Sequence, residues 1–162
     1  MIYKRIIYAL LYKNGNFFLS RNFRLQKVGD VKWLKNNFGF GETCNYIDEI
    51  LIINVTEKPS KKEVSNYFSD VNNLREKIFV PITLGGGIRT LDDVKLYFKN
   101  GADKILINKI AQSNILECKK ISETYGKQAV SIMVDFKKDE KKKIFYLYRW
   151  RKKEKYFFRK IF

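Results

Sequence analysis

The chain has 162 residues, 45% of them hydrophobic and 31% charged, a mixture that suits one globular domain with one core. It contains no histidine, which excludes serine–histidine and cysteine–histidine catalysis and the usual zinc sites. The formal net charge of +16 points toward nucleic acid, but twelve Lys and Arg against three Asp and Glu fall in residues 137–162, so over half of the excess lies in a short tail.

No apolar run approaches the roughly 20 residues of a membrane span. The start, Met-Ile-Tyr-Lys-Arg-Ile-Ile, lacks a signal-peptide layout, and a cytoplasmic location is the expectation. Cys44 and Cys118 stand far apart without a C-x-x-C and read as buried or incidental thiols. Neither a metal nor a cofactor is expected.

In chain order, Ile6–Tyr12 is a continuous apolar run, the pattern of a strand buried on both faces. Lys13-Asn14-Gly15-Asn16 predicts a tight hairpin turn, with Phe17–Ser20 returning from it. Asp30 caps a helix over Val31–Phe38 that Gly39 and Gly41 end. Ile50–Val55 is the second buried run. Ser60 and Glu63 form a capping box for a helix reaching Lys77, with Val64, Tyr67, Phe68, Val71 and Leu74 along its apolar stripe.

Phe79–Leu84 predicts a strand with its proline near the start. Thr90 and Asp93 make a second capping box for a helix to Asn100, which Gly101 stops. Lys104–Asn108 is the next strand. A helix over Asn114–Tyr125 ends at Gly126, and Ala129–Val134 is another strand closing on Asp135. Strands alternating with helices predict a parallel sheet with outer helices, and at this level an eight-stranded barrel and an open doubly wound sheet both fit.

Gly85-Gly86-Gly87-Ile88-Arg89-Thr90 ends a strand and opens a helix. Glycines there let backbone N–H groups approach a phosphate, although a tight turn needing positive φ uses the same residues. Asn108 and Asp135 also end strands, where (βα) barrels place their chemistry and where helix caps and Asx turns occur too. Arg5, Glu49 and Lys104 sit at the opposite ends of strands. In a closed barrel they would form a ring of mixed charge around the axis; solvated strand ends are the plainer reading.

These segments, with Lys4-Arg5-Ile6-Ile7, Val28-Gly29-Asp30, Ile47-Asp48-Glu49-Ile50, Val80–Arg89, Gly101–Asn108 and Gln128–Asp135 arriving in order, resemble the cyclase subunit of imidazole glycerol phosphate synthase. That protein is a (βα)8 barrel of histidine biosynthesis. The resemblance covers residues 1–136 and implies the N-terminal half of such a barrel, followed by an irregular basic tail over 137–162. It implies a carbon–nitrogen lyase or cyclase that takes ammonia from a glutaminase subunit and uses it on a phosphorylated small-molecule substrate. Arg5, Glu49 and Lys104 match the family's ammonia gate. Gly86, Gly87 and Asn108 match positions around one substrate phosphate, and Asp135 matches a catalytic-site residue on strand five.

Four positions depart from that pattern. The catalytic aspartate at the end of strand one falls on Leu11 and a nearby lysine on Leu19, and leucine moves no proton. The strand-two aspartate becomes Asn54, and the threonine after Asn108 becomes Lys109. The apolar strand one and Phe23–Asp30 resemble a paralogous group linked to surface-polysaccharide sugars, which works with a glutaminase in N-sugar amidotransfer. An isomerase acting on a related ribotide shares the glycine motif but not Leu11.

The tail breaks the βα pattern. If both arginines of Tyr148-Arg149-Trp150-Arg151 use AGR codons, a one-base shift reads Ile or Thr, Asp or Gly, Gly, then Glu or Gly, which admits the Asp-Gly-Gly turn that the family resemblance implies there. A frameshift near Ile144, truncating the chain, is therefore the expectation. The alternative is a non-enzymatic basic module that binds RNA or anionic lipid through 137–162. A barrel typically needs about 250 residues, so a half-barrel is expected to self-associate or join another half.

Overall fold

The computed structural model describes residues 4–21, 24–134, 136–138 and 145–147. Strand β1 (Ile7–Lys13) leads into β2 (Asn16–Arg21), with Leu11 opposite Phe18 and Tyr12 opposite Phe17. Asn14 and Gly15 take φ of 49° and 76°, and two consecutive positive values are what a two-residue hairpin turn requires. Next comes β3 (Arg24–Gly29), antiparallel to β2. Reading the sequence had not anticipated β3, because Arg24–Lys27 are exposed on both faces and show no apolar alternation.

Helix α1 (Val31–Asn37) starts at Asp30, whose carboxylate accepts a hydrogen bond from Trp33 N at 2.8 Å. Gly39, at φ 55°, separates it from the single turn α2 (Phe40–Thr43). Gly41 lies inside that turn and ends nothing. The buried strand β4 (Glu49–Asn54) follows. Helix α3 (Lys61–Arg75) opens on the full Ser60/Glu63 capping box and buries Tyr67, Phe68, Val71 and Leu74.

Strand β5 covers only Ile82–Gly85. Phe79 is 81% exposed and lies before it, so the strand begins after Pro81 and not at Phe79. Helix α4 (Leu91–Lys99) opens on the Thr90/Asp93 capping box. Strand β6 (Lys104–Ile107), the short helix α5 (Lys109–Ser113), helix α6 (Ile115–Tyr125) and strand β7 (Val130–Ile132) complete the series. Strand β7 is shorter than the expected 129–134 run, and α5 had no sequence signal of its own.

The sheet order is β3-β2-β1-β4-β5-β6-β7, with β1–β4, β4–β5 and β5–β6 parallel. From β1 onward each strand lies beside the next in sequence, without the reversal that defines a doubly wound sheet. The architecture is half of a (βα)8 barrel. Alternate strand residues Leu10, Tyr12, Ile50, Ile52, Ile82, Leu84, Ile105 and Ile107 are buried in the hydrophobic core together with Tyr67, Val71, Leu74, Val94 and Ile121 of the helices. The intervening residues form rows on the barrel-axis face. One row is Ala9, Leu51, Thr83 and Lys104; the next is Leu11, Ile53, Gly85 and Leu106.

The chain divides into two compact units, 1–131 and 132–162. Within the second, β8 (Phe136–Lys138) pairs antiparallel with β9 (Phe145–Leu147), two strands in a stretch the sequence presents as irregular. Among the described residues no helix is long and apolar enough to cross a membrane.

Candidate functional site

Two clusters of candidate residues occupy opposite ends of the sheet. At the N-terminal ends of the strands, Glu49 is 4% exposed. Its Oε2 accepts from Lys104 Nζ at 2.5 Å and from an Arg5 guanidinium nitrogen at 3.2 Å. The Thr83 hydroxyl donates to Oε1. Parallel register explains the meeting, since Glu49 pairs with Ile7 on β1 and Thr83 pairs with Lys104 on β6. Burial alone raises the Glu49 pKa, but the hydrogen bonds from Lys104 and Thr83, with the charges of Lys104 and Arg5, bring it below its ordinary value.

Arg5 and Lys104 keep 50% and 22% of their side-chain surfaces, so the cluster is buried at its carboxylate and wet at its cations. Thr83 was not singled out in the sequence. A threonine inside a strand carries no signal of its own, and its partner only becomes evident once the register is known.

At the C-terminal ends, the β5–β6 register sets Gly85 opposite Leu106, so Gly86-Gly87 and Ile107-Asn108 leave the sheet side by side. Gly86 and Gly87 have φ of 110° and 72°. A Cβ on Gly86 would lie 2.1 Å from the Asn54 carbonyl oxygen, whereas one on Gly87 would meet nothing within 4 Å. The glycine run therefore serves two needs: close backbone approach at Gly86 and an open face at Gly87. Asn108 begins α5, and its Oδ1 accepts from Gln112 Nε2 at 3.2 Å.

The N-terminus of α4 contributes less to anion binding than its position suggests. The amides of Arg89 and Thr90 both donate to Asp93 Oδ2 at 2.9 Å, and the Leu91 amide donates to Glu117 Oε1 at 2.9 Å. The Asp93 amide is taken by the Thr90 hydroxyl. Carboxylates of the chain itself already neutralise the helix end.

Two tyrosines of the helix layer reach the glycine loop. Tyr97 on α4 donates to the Gly86 carbonyl, and the fully buried Tyr67 on α3 donates to Ile52 O at 3.0 Å and Gly85 O at 3.4 Å. Burial, and the Asp93 charge beside Tyr97, keep both phenols protonated far above neutral pH.

The departures are equally visible. Leu11 lies in the apolar row with Ile53, Gly85 and Leu106. Leu19 is exposed on β2. Asn54 is buried, and its Oδ1 accepts from the Thr56 amide at 3.0 Å, an Asx turn. Lys109 opens α5. Asp135, expected as a catalytic residue, lies outside the described residues. Glu49 and Asn54 are five residues apart on β4, which separates the two clusters by roughly 17 Å.

Residues 43–160 match the family model described as "Histidine biosynthesis protein". The "Putative imidazole glycerol phosphate synthase subunit hisF2" of Parasynechococcus marenigrum is 44% identical over 140 residues, covering 84% of this chain and 50% of that protein. The "Imidazole glycerol phosphate synthase subunit HisF" of Saccharolobus solfataricus is 36% identical, covering 85% of this chain and 53% of its own length. The protein of that name from Streptococcus sanguinis is 35% identical, with shares of 86% and 53%. The chain thus spans about half the length of the curated relatives it matches. On the family match, these identities and the half-barrel strand order, the chain belongs to the histidine biosynthesis protein family, as a cyclase-like member of the imidazole glycerol phosphate synthase type.

Proposed function

We propose that this chain is the ammonia-receiving, single-phosphate half of a cyclase-like barrel. It would take ammonia from a glutaminase subunit at the Arg5–Glu49–Lys104 end and hold one phosphate of a small-molecule substrate at Gly86, Gly87 and Asn108. The observation that carries this reading is the buried Glu49 carboxylate, held by Lys104, Arg5 and Thr83 at one end of the same sheet whose other end carries the open glycine loop. Between the clusters the axis-facing rows are mostly apolar, with Leu51, Ile53 and Leu106 at their centre. Such a surface suits neutral ammonia better than ammonium.

The family's cyclisation chemistry fits less well. With Leu11 and Leu19 at the family's acid–base positions, this half supplies no proton-transfer group at either of them. Ammonia transfer to a sugar substrate, as in the surface-polysaccharide paralogues, needs the gate and the phosphate contacts but not those two residues. Asp135 is the polar active-site residue that the family resemblance would supply for that substrate.

The test is reconstitution with a purified glutaminase subunit of an imidazole glycerol phosphate synthase. Co-elution and a several-fold rise in glutamine hydrolysis are the expected results, both reduced in Glu49→Gln. Absence of a complex at tens of micromolar would overturn the reading.

Residues 137–162 are proposed to be an out-of-frame tail, on their net charge and on the Asp-Gly-Gly that Tyr148–Arg151 would admit in a shifted frame if both arginines use AGR codons; the family match running on to residue 160 weighs against it. DNA sequence across Ile144–Phe162 and about 300 bases beyond, the length of a second half-barrel, decides it. A shifted frame that continues into barrel sequence is the expected finding; its absence would overturn the frameshift.

A further inference from the structure

We infer that the Tyr97 hydroxyl is a positioning group for phosphate recognition: by holding the Gly86 carbonyl against the helix layer, it turns the Gly87 N–H out of that layer toward the ligand. The inference rests on the phosphate reading above and adds to it the residue that orients the loop.

The geometry follows from the planar trans peptide. Every described peptide bond is trans, so the C=O of one residue and the N–H of the next point to opposite sides of one plane. Tyr97, on α4, receives the Gly86 carbonyl. The Gly87 amide must then face away from α4. Tyr67, on α3, does the same more weakly one residue earlier, since its hydroxyl is shared between Ile52 O at 3.0 Å and Gly85 O at 3.4 Å. The Gly86 amide accordingly faces away from α3. On β5 the Gly86 amide belongs to the β6 side of the ladder, which leaves the Gly87 amide as the donor for an anion.

Three further observations favour a dedicated device over incidental packing. Gly86 is wedged against the Asn54 backbone, leaving no room for a side chain, while Gly87 opens on free space. Glycine at 87 thus has no close neighbour to accommodate, and its φ of 72° rather than crowding is what calls for glycine. The amides of Arg89, Thr90, Leu91 and Asp93 around the start of α4 are already bonded within the chain, which favours the amides before them for meeting an anion at this loop. The tyrosine rings are themselves fixed. Tyr97 packs edge-on against Phe68 at 5.0 Å and lies 6.2 Å from Tyr67, which is fully buried. A locked ring behind a glycine loop is how a mobile loop acquires a preorganised donor.

The experiment is amide NMR of the full chain titrated with inorganic phosphate, comparing wild type with Tyr97→Phe and, as an exposed control, Tyr46→Phe. Wild type is expected to show Gly86 and Gly87 amide shifts on titration. Tyr97→Phe should bind phosphate about tenfold more weakly, with the Gly87 resonance displaced even before phosphate is added. Tyr46→Phe should match wild type. Equal affinity and an unmoved Gly87 resonance in Tyr97→Phe would overturn the inference and leave the phosphate reading standing. No Gly86 or Gly87 response in wild type would overturn the phosphate reading; the ligand-free Gly87 resonance would then still decide whether Tyr97 orients the loop. Should Tyr97→Phe not fold, Tyr67→Phe reads the same question through the Gly86 resonance, with a smaller loss expected and an unmoved resonance again overturning it.

Discussion

Lys104 Nζ lies 2.5 Å from Glu49 Oε2, and the two residues are brought together across three parallel strands from positions 55 apart in the chain. Because the carboxylate is buried and only its cations reach water, removing Lys104 leaves a poorly solvated charge. Lys104→Met is expected to cost about 3 kcal/mol, at the low end for a broken buried pair because Arg5 remains. Urea unfolding of the variant against wild type measures it.

Thr83→Val keeps the shape of the side chain and removes only the hydroxyl that serves Glu49 Oε1. A hydrogen bond to a buried charge is worth about 2 kcal/mol, so the unfolding free energy from the same urea curves should fall by that amount. Thr83→Ser should recover most of it, which separates the bond from the packing.

Glu49 also fixes a pH dependence. Its carboxyl is held below the ordinary value of 4.5 in the folded chain, so its contribution is fully present above that pH. It is lost as pH falls through the lower folded value. Asp70 runs the other way. Burial, then the Asp30 charge, raise it above 3.8, with the Tyr12 hydroxyl at 2.7 Å opposing them. Its charged form therefore weighs against the fold once pH passes the raised value. Asp70→Asn should stabilise the protein at pH 7 and lose that advantage near pH 3, as unfolding curves across this range would show. Glu49→Gln should instead flatten the acid-side decline.

The two glycines of the loop predict unequal outcomes for one substitution. Gly87→Ala meets only its φ of 72°, a cost of about 1–2 kcal/mol. Gly86→Ala adds a collision with the Asn54 carbonyl and should exceed about 4 kcal/mol or prevent folding. Thermal melts of the pair give the comparison directly.

The parts of this fold legible in the sequence are those whose signals are local. Asn14-Gly15, the two capping boxes and the apolar runs each specify backbone geometry through neighbours a few residues away. Strand β3 escaped because Arg24, Gln26 and Lys27 face solvent, leaving no alternation to read. Strand β5 is short because Pro81 offers no N–H to a ladder and Phe79 has no wall to pack against. In the candidate site the charged and glycine positions stood out by residue type, and Arg5, Glu49 and Lys104 are drawn together as their strand ends suggested. Thr83, Tyr67 and Tyr97 did not stand out. A strand threonine and two helix-stripe tyrosines look like packing until the sheet register shows where their hydroxyls go.

The hairpin of β1 with β2 begins only at Leu11, whereas β1 pairs with β4 from Ile7 to Tyr12. The carbonyls of Ile6 and Tyr12 accept from the β4 side, so even-numbered residues of β1 face that partner and odd-numbered ones face the other edge. Among the described residues nothing pairs with that edge at Ile7 and Ala9. Deuterium should therefore enter β1 in a comb, rapid at Ile7 and Ala9 and slow at Tyr8 and Leu10. Any second half of a barrel that seats against this strand would erase the fast teeth first, at those two amides.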